Sequence, residues 1–356
     1  MKDPDRGILI PSERIEVGRM EQRRRGRQSF VLTGRPTVCA WASVAGKKEG
    51  EGPLAREFDE ILTDNRVCAP SWEQAETCIQ QRALDRLLQK ANCEAGDLDL
   101  VFSGDLLNQC IASSFALRGL PVPVLGLYGA CSTMAEGILL AASAVEGGWA
   151  NSASVLTSSH FAASERQYRF PLGYGGQRTP TSQWTVTGCG AVLLKREGRG
   201  PKAVSATVGE ICDKGITDAN NMGAAMAWAA YRTIRAHLDD LSEAPEDYDC
   251  ILTGDLGHLG KAMVEELFSR DGVRLGDRYA DCGAMIFDRE KQDVHCGGSG
   301  AGCSAAVLCA HFLPRLASGS LRRVLFCGTG ALLSPVSVQQ KQPIPAVCHA
   351  VCLEAP

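Results

Sequence analysis

Cys131 is the residue in this chain best placed to do chemistry. It stands between an apolar run and an apolar helix, with Gly129 and Ala130 before it and Ser132 at the helix start. A thiol at a helix N-terminus faces unpaired N–H groups and the positive end of the dipole, and both favour the thiolate. Small neighbours leave room for a ligand to reach the backbone. One of sixteen cysteines can equally be a buried core residue, so the context sets two readings side by side: pocket-lining thiol or packing.

A thiol nucleophile needs a base. His258, in Asp255-Leu-Gly-His258, follows a strand end, and His295 precedes Gly297-Gly298-Ser299-Gly300. Both are candidates, whereas His237, His311 and His349 read as surface or packing residues. A second unusual stretch, Ser164 to Gly190, carries Arg166, Arg169 and Arg178 against one acid, Glu165, with Tyr168, Phe170, Tyr174 and Trp184 interleaved and Phe161 just before it. Arginine forks suit carboxylates and aromatic faces suit a flat ring. The same stretch would also serve as a cover loop or a dimer contact. No Gly-x-x-x-x-Gly-Lys-Ser/Thr or Gly-x-Gly-x-x-Gly pattern supports a nucleotide site, and no Cys-x-x-Cys pair supports zinc. Neither metal nor cofactor is expected.

These residues must be held by something, and the chain shows what. Leu-Val-Phe-Ser-Gly-Asp-Leu at 100–106 recurs as Cys-Ile-Leu-Thr-Gly-Asp-Leu at 250–256, an offset of 150. The Gly129–Ser132 helix start is matched by Gly300–Ser304, with Cys131 and Cys303 offset by 172, and Val155-Leu-Thr by Val324-Leu-Phe, offset by 169. Three ordered matches point to a tandem duplication of a β-α-β-α-β unit, divided near Lys195–Pro201. Strands alternating with helices imply mostly parallel sheets, and ligands then collect at the carboxyl ends of the strands. The turns at Gly129–Ser132 and Gly298–Ser304 are expected to face each other across a pseudo-two-fold axis. Helices are expected over 71–90, 132–147 and 224–241, and strands over 98–103, 123–127 and 153–157.

The division expected is a basic tail at 1–28, an N-terminal half at 29–197 and a C-terminal half at 198–356. The tail holds five arginines from Arg19 to Arg27 against Glu21, which fits a solvated arm or one that touches anionic lipid headgroups. At 356 residues, 45% hydrophobic and 22% charged, the composition is that of a folded protein, and a net charge of −4 gives no reason to expect nucleic-acid binding. Cysteines inside apolar runs, such as Cys250 and Cys309, point to a reducing compartment. No signal peptide is recognised, and no apolar run approaches the about 20 residues of a membrane span.

The Gly-Ala-Cys131-Ser turn, the duplicated halves, the Gly298–Ser304 helix start and the Cys327-Gly328-Thr-Gly330 strand end resemble the thiolase and ketoacyl-synthase superfamily. A narrower resemblance, to the stage V sporulation protein AD family of spore-forming Firmicutes, rests on Leu-Tyr-Gly-Ala-Cys-Ser-Thr-Met, Glu165-Arg-Gln-Tyr-Arg-Phe-Pro, Tyr174-Gly-Gly-Gln and Gln183-Trp-Thr-Val-Thr-Gly. It runs from about Arg27 to Ser337. It implies a thiolase-like fold in α-β-α-β-α layers, often dimeric. It also implies a part in moving dipicolinic acid into the developing spore with membrane partners of the same stage V sporulation A operon, from the cytoplasmic side of the forespore inner membrane. On this resemblance Cys131 matches the nucleophile position and His258 the first base. The Asn or His expected at the second helix start falls near Gly298 or Ser299, with His295 a few residues early, and Cys327 resembles a second thiolase cysteine. The residues expected to meet ligand are Cys131, Ser132, Arg166, Arg169, Arg178, His258, Gly298 and Gly328. The alternative is an acyl-transferring or condensing enzyme with Cys131 as nucleophile.

Overall fold

The computed structural model describes residues 23–168, 172 and 177–356. A short ribbon, β1 (Arg24–Arg25) and β2 (Ser29–Val31), precedes the first half. That half runs β3 (Thr37–Ala45), β4 (Glu60–Ile61), α1 (Trp72–Ala91), β5 (Leu100–Gly104), α2 (Ile111–Leu117), β6 (Val124–Leu127), α3 (Thr133–Glu146), β7 (Ser152–Ser159), α4 (Phe161–Glu165), β8 (Trp184–Thr185) and β9 (Gly188–Lys195). The second runs β10 (Lys202–Thr207), α5 (Met222–Leu241), β11 (Cys250–Thr253), α6 (Gly257–Arg270), β12 (Tyr279–Asp281), α7 (Cys282–Met285) and β13 (Gly298–Ser299). It ends with α8 (Ala301–Val307), α9 (Leu313–Ala317), β14 (Arg323–Ala331), α10 (Pro335–Gln339) and β15 (Ala346–Glu354).

The duplication is written into the pairing. In the first half the order is β3-β9-β7-β5-β6, with β5, β6 and β7 parallel and β9 antiparallel to both β7 and β3. The second half repeats it as β10-β15-β14-β11-β12, with β11, β12 and β14 parallel and β15 antiparallel to both neighbours. The two sets join where Lys202 pairs with Thr37. The segment Lys195–Pro201 is the link between β9 and β10.

Matching local signals build matching elements. The Ser71 hydroxyl caps α1 by accepting from the Gln74 N–H at 3.2 Å, and Asn92 ends it in the left-handed region. Ala75, Ile79, Ala83, Leu84 and Leu87 recur at helical spacing and are buried against the first-half strands. The α5 helix, of the same length and 150 positions later, ends the same way at Ser242 and covers β14 and β15. Between the two sheets lie α3 and α8. Nearly the whole circumference of α3 is buried, from Met134 to Val145, and α8 reads Ala-Gly-Cys-Ser-Ala-Ala-Val with every residue buried. Five layers result: outer helix, sheet, central helices, sheet, outer helix.

Close approach is a condition of this stacking. A β-carbon on Gly190 of β9 would stand 2.3 Å from the Ala305 carbonyl oxygen of α8. Only glycine lets the central helix lie so near the strand.

Of the expected tail, 1–22 lies outside the described residues. Residues 23–28 are held: Arg24 and Arg25 pair with Phe30 and Ser29. The Asp240 carboxylate accepts from the N–H groups of Arg27, Gln28 and Ser29 at 3.3, 3.1 and 3.1 Å. His237, expected as a packing residue, is buried between the Thr207 hydroxyl at 2.7 Å and the Tyr248 hydroxyl at 2.9 Å. Burial holds it neutral, down to about 3.

Gly190→Ala is expected to destabilise the protein by about 2–3 kcal/mol, because the added methyl must push α8 off β9. Gly96→Ala, whose β-carbon would meet nothing closer than Pro121 at 3.7 Å, is expected to be neutral. Urea unfolding of both variants measures the contrast.

Candidate functional site

The chain leaves β6, turns through Gly129 and Ala130, and enters a helical turn at Cys131. Ala130 has φ of +52°, a left-handed conformation that costs a non-glycine residue on the order of 1 kcal/mol. Two hydroxyls lock the turn: Ser132 donates to the Gly129 carbonyl at 2.7 Å and Thr133 to the Ala130 carbonyl at 2.6 Å. The end of β14 presses on it from the other half. A β-carbon on Gly330 would stand 2.5 Å from the Gly129 oxygen, and one on Gly328 2.6 Å from Ala135. Gly328, expected to meet ligand, is therefore a packing glycine against α3. Ser132 is fully buried and spends its hydroxyl on the turn.

The Cys131 thiol faces Asp255, which the Gly-Asp-Leu repeat places at the end of β11. Asp255 is wholly buried. Its Oδ1 accepts from the Thr329 hydroxyl at 2.8 Å, and its Oδ2 accepts from the Ser299 hydroxyl at 2.8 Å and the Gly300 N–H at 2.9 Å. The thiol adds a further donor. Burial raises the carboxyl above its ordinary value, while these donors pull it back. A second buried acid, Asp281, anchors the turn that carries Asp255 by accepting from the N–H groups of Leu256 and Gly257, both at 2.9 Å, and burial pushes it up to about 7.

The consequence for Cys131 is opposite to the expectation from its helix. Burial raises the thiol well above its ordinary value, and the Asp255 carboxylate raises it further by its charge and as an acceptor. Cys131 is thus a neutral thiol and a hydrogen-bond donor. The Gly300 N–H and the Ser299 hydroxyl, which favour the thiolate, are outweighed by burial and by the Asp255 carboxylate beside the sulfur.

The two marked turns do meet, since Ser299 and Gly300 act on the Cys131 sulfur. The expected bases do not join them. His258 lies on the first turn of α6, where its N–H donates to the Cys296 carbonyl at 2.8 Å and Arg289 and Lys261 are the charges that act on its ring. The residue that reaches the thiol is three positions earlier, because the strand ends at Thr253 and the helix begins at Gly257. His295, in a left-handed conformation, pairs with Asp293 at 3.3 Å. Cys327 points to the other face of β14, into the core beneath α5, as strand alternation requires.

The arginines divide likewise. Arg166 pairs with Glu73 at 2.9 Å. Arg178 pairs with Asp293 at 2.6 Å and lies 4.9 Å from the centre of the Trp184 ring, whose other neighbours are Phe161, stacked at 3.9 Å, and the Lys48 ammonium at 3.6 Å. Arg169, with Phe170 and Tyr174, lies outside the described residues. Gly298 contributes backbone: it pairs with Trp184 across β13 and β8, and its carbonyl accepts from Gln183 at 2.8 Å. Asp255, Ser299 and Thr329 were the residues that sequence reasoning missed as site groups. The repeated Gly-Asp dipeptide was the available signal. The mate of Asp255, Asp105, is also buried at its strand end and accepts from Ser113 and Leu107.

A buried cysteine at the head of a central helix, between two copies of one α/β unit, defines a thiolase-like protein. Solved structures share the fold. They include 3-oxoacyl-[acyl-carrier-protein] synthase III from Aquifex aeolicus VF5 (TM-score 0.55, 11% identity, 90% of this chain and 99% of that one). The same enzyme from Pseudomonas aeruginosa PAO1 gives 0.56 and 15%, over 90% and 98%. Cerulenin-bound OleA from Xanthomonas campestris gives 0.58 and 14%, over 91% and 100%. Residues 26–354 match the family model of stage V sporulation protein AD (SpoVAD). "Stage V sporulation protein AD" of Bacillus subtilis (strain 168) is 43% identical over 329 residues, 92% of this chain and 97% of that protein. The chain belongs to the stage V sporulation protein AD family: it is a sporulation protein with a thiolase-like fold.

With iodoacetamide near neutral pH, the exposed Cys68 is expected to be alkylated first and Cys131 to be spared. Asp255→Asn, which removes the opposing charge, should raise the Cys131 rate. Peptide mass mapping reads both. Cys131 reacting first in the native protein would refute the neutral-thiol assignment.

Proposed function

We propose that this protein binds dipicolinic acid, pyridine-2,6-dicarboxylate, in the thiolase-like cleft beside Cys131, and takes part in its uptake into the developing spore. It would work at the cytoplasmic side of the forespore inner membrane, peripherally, with the membrane proteins of the stage V sporulation A operon. Membership of the sporulation family supports the setting. Among the described residues, no helix is long and apolar enough to cross a membrane, so the membrane contact proposed is a surface one.

The observation that carries binding over catalysis is the Cys131–Asp255 pair. An acyl-transferring enzyme needs a thiolate and a base that takes its proton. Here the group beside the sulfur is a carboxylate that holds the proton on it. The acyl-transfer alternative is therefore not favoured. The aromatic rings of Tyr168 and Tyr128, the first of them beside Cys131, suit a planar ligand. Tyr168 turns its hydroxyl to the Leu333 carbonyl at 3.4 Å, and burial pushes it up to about 12.

A dianion in this cleft meets Asp255, and the sign of the pH effect follows. Bringing a carboxylate near raises Asp255 further, so binding takes up a proton. Affinity should therefore rise as pH falls toward the raised Asp255 value, until the ligand itself is protonated. Calorimetry with dipicolinate across pH, in buffers of differing ionisation enthalpy, measures this. Asp255→Asn, checked for an unchanged melting transition, should flatten the dependence. No heat of binding at any pH would end the reading.

We also propose that the protein works as a homodimer through β6. Among the described residues no strand pairs with the outer side of this edge strand, and Val124 and Leu125 are 41% and 47% exposed, with Phe115 and Tyr128 beside them. Its counterpart at the opposite edge, β12, buries Tyr279. A second copy of β6, running antiparallel, would pair the free groups and cover the side chains. Sedimentation should give twice the chain mass, and Leu125→Lys the single mass. A wild-type monomer at all working concentrations would remove the proposal.

A further inference from the structure

Among the described residues, the most exposed large hydrophobic one is Trp149, at 73%. It follows the Gly147-Gly148 turn that ends α3, so it stands at the opposite end of that helix from Cys131, about 20 Å away along the axis. A bare indole on a turn is a poor packing element and a good interfacial one, with an apolar ring and one N–H.

What surrounds Trp149 is cationic. The Arg196 guanidinium donates to the Val145 carbonyl at 3.2 Å and would come within 3.6 Å of a β-carbon on Gly148. A cleft of about 220 Å³ beside it is lined by Arg196, Arg23, Pro36 and Glu146. Arg23 is half exposed and pairs with Glu146 at 3.3 Å. Arg24 and Arg25 follow on the exposed ribbon β1, and Arg27, 83% exposed, pairs with Glu210 at 3.1 Å. Arg199 is exposed on the loop after Arg196.

The acids on this strip are largely spent. The Glu146 side chain is buried and accepts from the Gly34 N–H and the Thr33 hydroxyl, Asp240 accepts from the N–H groups of Arg27, Gln28 and Ser29, and Glu210 also pairs with Arg232. Exposed Glu197 is the remaining one on the Arg196–Arg199 loop. Arg23, Arg24, Arg25, Arg27, Arg196 and Arg199 thus outnumber the acids along a strip that ends in the indole.

We propose that this strip, from Trp149 through Arg196 and Arg23 to the β1 ribbon, is the surface by which the protein docks on a bilayer rich in anionic phospholipid. Guanidinium forks match headgroup phosphates in two-point geometry, and an indole settles at the level of the headgroups. Docking in this pose puts the Cys131 end of α3 on the far side from the lipid, leaving the cleft facing away. The proposal rests on the reading that the protein acts at a membrane, and adds that lipid itself is contacted and where.

The test uses the full-length protein with vesicles of phosphatidylcholine alone or of equimolar phosphatidylcholine and phosphatidylglycerol. The expected result is co-sedimentation with the anionic vesicles only, a blue shift of tryptophan emission on binding, and release as salt is raised. Trp149→Ser, at an exposed position that folding does not need, should abolish the shift. Joint replacement Arg24→Gln and Arg25→Gln should weaken partitioning about 25-fold, roughly fivefold for each charge removed. Equal binding to neutral vesicles, or binding unmoved by either variant, would overturn it. So would capture by polyglutamate with no vesicle binding, which would mark the strip as a site for an acidic protein segment. Dipicolinate calorimetry on the same preparation separates the two readings, since it keeps its signal if docking alone fails.

Discussion

A carboxylate shut away from water must find its donors within the protein or give up its charge. Asp255 is in that position. Moving an ionised group from water to such a place costs several kcal/mol even after relaxation, and the offset comes from donors of both halves. Thr329, Ser299 and Gly300 belong to the second half and Cys131 to the first. Three of the four donors stand in its own half, and the fourth, the Cys131 thiol, arrives only when the halves are docked in register. The same contact fixes the chemistry of the seam, because the donor contributed by the first half is the cysteine at the head of the central helix.

The rest of the molecule can be seen as what that seam requires. Two sheets must approach α3 and α8 from opposite sides, so the central helices are almost wholly apolar or made of small residues, and the strands beside them carry glycine where backbone touches backbone. The outer helices α1 and α5 need only one buried face each and keep most of their charges outward; the exception on α1 is Glu76, buried and accepting from the Ser158 hydroxyl at 2.8 Å. The N-terminal ribbon couples the halves again at the periphery, with Asp240 of the second holding its backbone and Glu146 of the first pairing with Arg23.

Solved structures at 11–15% identity share the scaffold, and the sporulation relative at 43% shares the family. At the centre of this scaffold one residue decides the state of the thiol. A neutral base beside Cys131 would draw off its proton and a cation would stabilise the thiolate, whereas a carboxylate favours the neutral thiol.

Much was readable in the order of residues. Apolar periodicity gave the helices near 72–91 and 133–146. The three offset matches gave the duplication, because copies of a unit keep their turn and strand-end residues after their surfaces have diverged. Cys131 was marked by the small residues around it. What only tertiary structure decided is who stands beside whom. The expectation of a thiolate comes from a local field, that of the helix; the neutral thiol comes from burial and then from a residue 124 positions away in sequence, whose charge acts at contact distance. His258 and Asp255 share one strand end in the sequence, which cannot say which of the two the helix start carries off. Arg166 and Arg178 looked available for a ligand until folding supplied Glu73 and Asp293. Local patterns build elements, but electrostatics at a site depends on distance in space, and only the packed chain sets those distances.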